Sequence, residues 1–230
     1  MLNSVFVTGG TGHIGQEMIA VLVEKGRDVR ALVRPGSERK VPTGALPVMG
    51  NALDASTFAS RIPAGASLVH LVGTPRPNPA KAAQFRRVDV PSIHAAVAAA
   101  QRSKAGHLIY VSVAQPAPIM RAYIAARQEG EAAVRASGIP ATILRPWYVL
   151  GPGHYWPYVL TPVYGIFRRL PGTRETAERL GLVTRRQMVS ALVRAVEEGP
   201  ADGVRIVTVP EIRRSAAPQA MRSDADATSV

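Results

Sequence analysis

The chain has 230 residues, 47% hydrophobic and 19% charged, enough for one packed domain with a small appendage. It contains no cysteine, which excludes disulfides, thiolate catalysis and cysteine-ligated metals. The formal net charge of +12 invites a nucleic-acid reading, but 24 of the 28 basic residues are arginines scattered through an alanine-rich chain, and no single helix gathers them.

No stretch reaches the roughly 18 unbroken apolar residues of a membrane span. The first residues enter "SVFVTGG" without a basic segment and apolar run. The expectation is a cytoplasmic protein with no specific nucleic-acid partner.

The chain opens with a β-branched run at 4–8, "SVFVT", that ends in "TGGTGHIG" and leads into a helical pattern over 13–26. Gly9, Gly12 and Gly15 are three apart, as a dinucleotide-binding turn needs. One glycine allows the tight turn, one lets a pyrophosphate reach bare backbone, and one lets helix and sheet pack closely. Thr11, His13 and Ile14 share this turn, and the helix N-terminus offers its N–H groups and dipole to the phosphates. The second strand, 28–33, ends at Arg34, where an NAD site would carry an acid for the ribose 2′-hydroxyl. Ser37, Arg39 and Lys40 follow, no carboxylate stands at the strand end, and the cluster suits a 2′-phosphate. NADP is therefore favoured over NAD. Arg34 is also one more arginine in an arginine-rich chain.

Further strands are expected over 45–49, 67–72, 107–112, 141–145 and 204–209. Helices are expected over 80–102 and 118–137, with a short one at 54–61. Gly26, Gly106 and Gly138 stand where helices should stop. The alternation implies β-α-β units, hence an α/β fold with a Rossmann-type, doubly wound parallel sheet. In the helix over 118–137, Tyr123 and Arg127 are four apart and share one face. A tyrosine beside a fixed cation handles protons closer to neutral pH. Equally, the same tyrosine could be a partly buried helix residue, and Glu131, one turn on, could pair with Arg127 and make it structural. Of the five histidines, no two have the i and i+4 spacing of a helical metal site, and no metal site is expected.

After Pro146 the pattern changes to Pro, Gly and aromatics. Within it, 155–170 carries an apolar stripe beside arginines. Such a stripe forms a pocket wall more readily than a contact with an anionic membrane surface. A helix resumes at Thr184, which with Gln187 has capping-box spacing. This divides the chain into a dinucleotide-binding core at 1–150, a small substrate-side lobe at 151–212 and a polar tail at 213–230 that reads as disordered.

The motifs "TGGTGHIG", "VHLVGTP", "LIYVSV", "YIAAR" and "ILRPWYVLGPG" occur in an order that resembles the extended and atypical short-chain dehydrogenase/reductases. The NmrA-like NAD(P)-binding proteins and relatives of a mitochondrial complex I accessory subunit are the most similar branch. The resemblance covers roughly residues 3–210. It implies that Asn51 and Ala52 flank the adenine, that Leu71, Val72 and Gly73 run along the cofactor, and that Pro146, Tyr148 and Val149 border the nicotinamide. It also implies Tyr123 as general acid or base and Ser112 as the group orienting the substrate oxygen. Arg127 replaces the lysine that holds the ribose and acidifies the phenol, and Arg and Lys are not interchangeable at a fitted site.

The reading that follows is an NADP-dependent oxidoreductase acting on a small apolar carbonyl or alcohol. The alternatives are a non-catalytic NAD(P)H-binding redox sensor or assembly factor and, less favoured on length, a sugar-nucleotide epimerase or dehydratase.

Overall fold

The computed structural model describes residues 4–75, 77–116, 120–150 and 181–216. In chain order the main elements are β1 (Ser4–Thr8), α1 (His13–Glu24), β2 (Asp28–Val33), β3 (Leu46–Met49), β4 (Ser67–His70), α2 (Ala82–Gln84) and α3 (Val90–Ser103). There follow β5 (His107–Val111), α4 (Arg121–Ala136), β6 (Ala141–Leu144), β7 (Tyr148–Leu150) and β8 (Leu182–Thr184). Last come α5 (Arg185–Glu198), β9 (Val204–Val207) and α6 (Val209–Arg214).

Among the described residues seven strands form one sheet in the order β3-β2-β1-β4-β5-β6-β9, and every pairing in it is parallel. A parallel sheet is covered on both faces, so its strands are β-branched runs rather than alternating ones. Strand parity sorts the side chains. In β1, Val5 and Val7 enter the core built with Met18 and Leu22 of α1 and Met188 and Leu192 of α5. Phe6 enters the opposite core, with Ile93 of α3 and Val134 of α4. Burial of each such side chain stabilises the fold by about 1.5–3 kcal/mol. The segment from Leu182 onward shares the first core with the N-terminal half, because Val183 and α5 pack into it.

Local chemistry accounts for the differences from expectation. The helix expected over 54–61 is two short 3-10 turns, Ala55–Thr57 and Ala59–Arg61, the first capped by Asp54 accepting from Ser56 N. The helix expected over 80–102 contains a π-helical turn, Phe85–Asp89, that feeds into α3. The last strand stops at Val207 because Thr208 caps α6: its hydroxyl and backbone both bond Glu211 in a capping box. That helix takes in Arg213 and Arg214, the first residues of the segment expected to be a tail. Strands β7 and β8, absent from the expected elements, pair parallel to each other. The aromatic stripe at 155–170 lies outside the described residues.

β1 lies between β2 and β4, so the chain winds away from β1 in both directions. The carboxyl ends of β1 and β4 lie at this switch point, where folds of this kind take their ligand in a crevice.

Candidate functional site

Two of the three glycines of the turn are required by its own packing. Gly9 has φ +77, and a Cβ there would lie 2.7 Å from the carbonyl carbon of Leu71 at the end of β4. A Cβ on Gly15 would lie 2.6 Å from Gly9 O, so α1 can approach β1 only with glycine at that position. Gly12 is exposed, and a Cβ there would meet nothing closer than Gly9 O at 3.4 Å. Gly12 is also the N-cap of α1, with no side-chain cap and no acid in the first turn. Thr11, His13 and Ile14 surround this uncapped end, where N–H groups and dipole favour an anion. These residues fit a dinucleotide pyrophosphate. Gly10 was not among the candidates, yet a Cβ there would press on Ile19 Cδ1 at 2.8 Å.

At the end of β2, Arg34 is exposed and its carbonyl accepts from Ser37 N at 3.0 Å. Glu38 sits in the same turn, its Oε1 accepting from Gly36 N at 3.1 Å, so a carboxylate does stand close to the basic cluster. Asn51 uses its side-chain carbonyl locally, accepting from Leu53 N at 3.0 Å, and Ala52 is half-buried beside it. Leu71 N donates to Thr8 O, so Leu71, Val72 and Gly73 leave β4 alongside β1. Pro146 O accepts from Ala114 N, and Tyr148 and Val149 are half-buried on β7.

One stripe of α4 carries Tyr123, Arg127 and Glu131 at steps of four, and each meets different partners. The Tyr123 ring lies half-buried, 5.1 Å from the Phe85 ring. The Arg127 guanidinium lies over two tyrosine faces, 5.1 Å from the Tyr123 centroid and 5.8 Å from that of Tyr110. The i,i+4 pairing of Arg127 with Glu131 does not form. Arg127 Nη2 donates instead to Asp89 Oδ1 at 2.8 Å, and Nη1 to Val111 O at 3.0 Å.

Glu131 serves β5 and β6. It accepts from Ser112 Oγ at 2.6 Å, from Gln115 Nε2 at 3.0 Å, and from Arg145 through Nε at 2.9 Å and Nη2 at 2.5 Å. Ser112 is buried, and its hydroxyl hydrogen is committed to that carboxylate.

A model of the NAD(P)H-binding family matches residues 9–161, two-thirds of the chain. The chain belongs to that family. This NAD(P)H-binding protein is 32% identical over 158 residues to a ceramide reductase of Caulobacter vibrioides, an alignment covering 65% of this chain and 47% of that one. It is 30% identical over 109 residues to the 4-hydroxy-2-methyl-3-oxo-4-farnesyl-3,4-dihydroquinoline-1-oxide ketoreductase of Stigmatella aurantiaca, covering 46% of this chain and 32% of that one. The matches thus span less than half the length of either curated relative. Among solved structures, the Bordetella bronchiseptica enzyme WbmH in complex with NAD+ superposes with a TM-score of 0.65 at 19% identity, over 93% of this chain and 80% of that one. The fold shared with it is a Rossmann-like α/β sheet.

Asp89, Thr74 and Arg145 were missed as site residues. The signal for Asp89 was legible: "RRVDVPSI" sets one acid in an apolar helical pattern, and a buried acid needs a partner. Next to this pair His70 is fully buried, with Nδ1 2.8 Å from Thr8 Oγ1 and Nε2 3.3 Å from Ser92 Oγ. Ser92 Oγ donates to Asp89 O, so it accepts from Nε2–H, and Thr8 donates to Nδ1. Burial, with the Arg127 charge adding to it, lowers the His70 pKa to about 3. His107, whose Nε2 lies 2.9 Å from Thr142 Oγ1, is lowered by burial to about 4. Both rings are neutral parts of the core near pH 7. Among the described residues no cluster of metal-ligating side chains occurs, and no helix is long and apolar enough to cross a membrane.

Proposed function

We propose that this protein is an NADP-dependent reductase of atypical short-chain dehydrogenase type, acting on a small apolar carbonyl or the corresponding alcohol. The observation that carries the reading is a continuous line of contact: the glycine turn touches Leu71, Gly73 touches Arg127, and Arg127 touches Tyr123. The backbone along which a dinucleotide would lie therefore runs directly to a half-buried phenol. Bound NADPH would supply the hydride. Tyr123 gives its proton to the substrate oxygen, whereas Ser112, its own hydrogen held by Glu131, has none to offer the carbonyl and accepts only from the hydroxyl of the alcohol. The two curated relatives are named as reductases, one of a ceramide and one of a farnesyl-bearing ketone, in keeping with an apolar substrate. Arg34, exposed and in no ion pair among the described residues, supports the 2′-phosphate.

A second reading, a non-catalytic NAD(P)H sensor, is favoured by the pairing of Arg127 with Asp89, which answers the charge otherwise expected to act on the phenol. Fluorescence titration with NADPH and NADH, followed by NADPH consumption on a panel of long-chain ketones and aldehydes, separates the two. The reductase turns over at least one ketone, and Tyr123→Phe lowers kcat by about 100-fold or more. Arg34→Ala weakens NADPH binding about 10-fold or more with NADH unchanged. Tight binding with no turnover on the panel would establish the sensor.

A further inference from the structure

Asp89 closes the π-helical turn before α3, and its side chain is 1% exposed. Its two carboxylate oxygens serve different segments. Oδ1 accepts from Arg127 Nη2 at 2.8 Å, whereas Oδ2 accepts from Thr74 N at 3.0 Å and from Thr74 Oγ1 at 2.6 Å. Through Nη1, Arg127 also holds Val111 O at the end of β5. One buried ion pair thus ties together three segments: the chain leaving β4, the start of α3, and the end of β5 with α4.

Gly73 sits under this pair. A Cβ there would collide with Arg127 Nη2 and would approach Asp89 Oδ1 to 3.2 Å. The guanidinium fills the space that glycine leaves, and Thr74 is then fixed by two hydrogen bonds. A lysine has one nitrogen and could not reach from Val111 O to Asp89 in the same fork.

The electrostatics follow from this geometry. A lone cation near Tyr123 would act on the phenol as a monopole. Arg127 with a carboxylate 2.8 Å away acts as a dipole, whose field falls off faster with distance.

We propose that Asp89 and Arg127 form one positioning unit that sets dinucleotide affinity by fixing residues 71–74, the wall of the crevice beside the glycine turn, and that the Arg127 charge is spent on Asp89 rather than on Tyr123. This rests on NAD(P)H binding, to which the family assignment already commits the chain, and not on the reductase reading. Its failure and the failure of that reading are therefore separate results.

The test uses the full chain and NADPH. Thr74→Val removes the hydroxyl bond and leaves both charges paired; it weakens NADPH binding about fivefold, the worth of one hydrogen bond. Asp89→Leu with Arg127→Met removes both charges together, which avoids stranding a buried ion. That double variant unfolds at a urea midpoint close to wild type, weakens NADPH binding about 10-fold or more, and loses hydrogen-exchange protection at the amide of Thr74. Where a ketone substrate is in hand, KM for NADPH rises by a larger factor than kcat falls. NADPH affinity within twofold of wild type in a folded double variant overturns the proposal, as does unchanged exchange at Thr74. A double variant that does not fold leaves Thr74→Val to decide: unchanged affinity there overturns the proposal, and fivefold weakening supports it.

Discussion

At the scale of single residues, position 127 looks different in the fold from how it looks along the sequence. Helical spacing offers Glu131 as its partner, and the i,i+4 rule is sound for exposed helix surfaces. This face of α4 is buried, and there the acid that satisfies Arg127 comes from 38 residues earlier in the chain. Glu131 is taken up by Arg145, Ser112 and Gln115. The same burial couples positions 73 and 127. With arginine at 127, Gly73→Ala forces a methyl group into Nη2; with lysine there, the terminal nitrogen can withdraw along its flexible stem. Urea unfolding of Gly73→Ala, Arg127→Lys and the double variant should show a favourable coupling of about 1–3 kcal/mol. Strict additivity would mean that the close approach at Gly73 has no energetic weight.

At the scale of elements, the chemistry written into adjacent residues was legible and the chemistry of distant ones was not. The glycine turn, β1, β2 and the cap of α5 could all be read, because each depends on residues within a few positions of one another. Strands β7 and β8 could not be read, since each has only three residues and each makes its hydrogen bonds with a partner more than 30 positions away. Helix α6 was missed although it carries its own signal, Thr208 with Glu211 three residues on and Pro210 between them. The box at Thr184 is the stronger test of such signals, because it starts the helix that seals the sheet face opposite α3 and α4. Thr184 Oγ1 accepts from Gln187 N at 3.2 Å, and Gln187 Oε1 accepts from Thr184 N at 2.9 Å. Thr184→Ala should therefore cost about 1 kcal/mol in urea unfolding, and Thr184→Ser should restore most of it. No loss on alanine substitution would mean that packing of α5 against α1 alone fixes its start.

At the scale of the whole molecule, stability and the site share one buried polar layer. Thr8, His70, Ser92, Asp89 and Arg127 run without a break from the end of β1 to α4. The layer needs His70 neutral, since Nδ1 must accept from Thr8. His107 is also buried neutral, against Thr142. Both folded-state values, about 3 and about 4, lie below the 6.5 of an exposed imidazole. Between those limits the unfolded chain binds protons that the folded chain refuses, so unfolding becomes easier as pH falls. The contribution is complete above pH 6.5 and is lost on acidification towards pH 4 and then 3. From pH 7.5 to 5 the loss is about 2 kcal/mol for each histidine. Urea unfolding followed from pH 7.5 down to 5 should show this slope, with a flat region above about pH 7. His107→Gln should remove about half of it, since an amide can bond Thr142 but does not titrate. A slope unchanged in that variant would place the acid sensitivity elsewhere in the molecule.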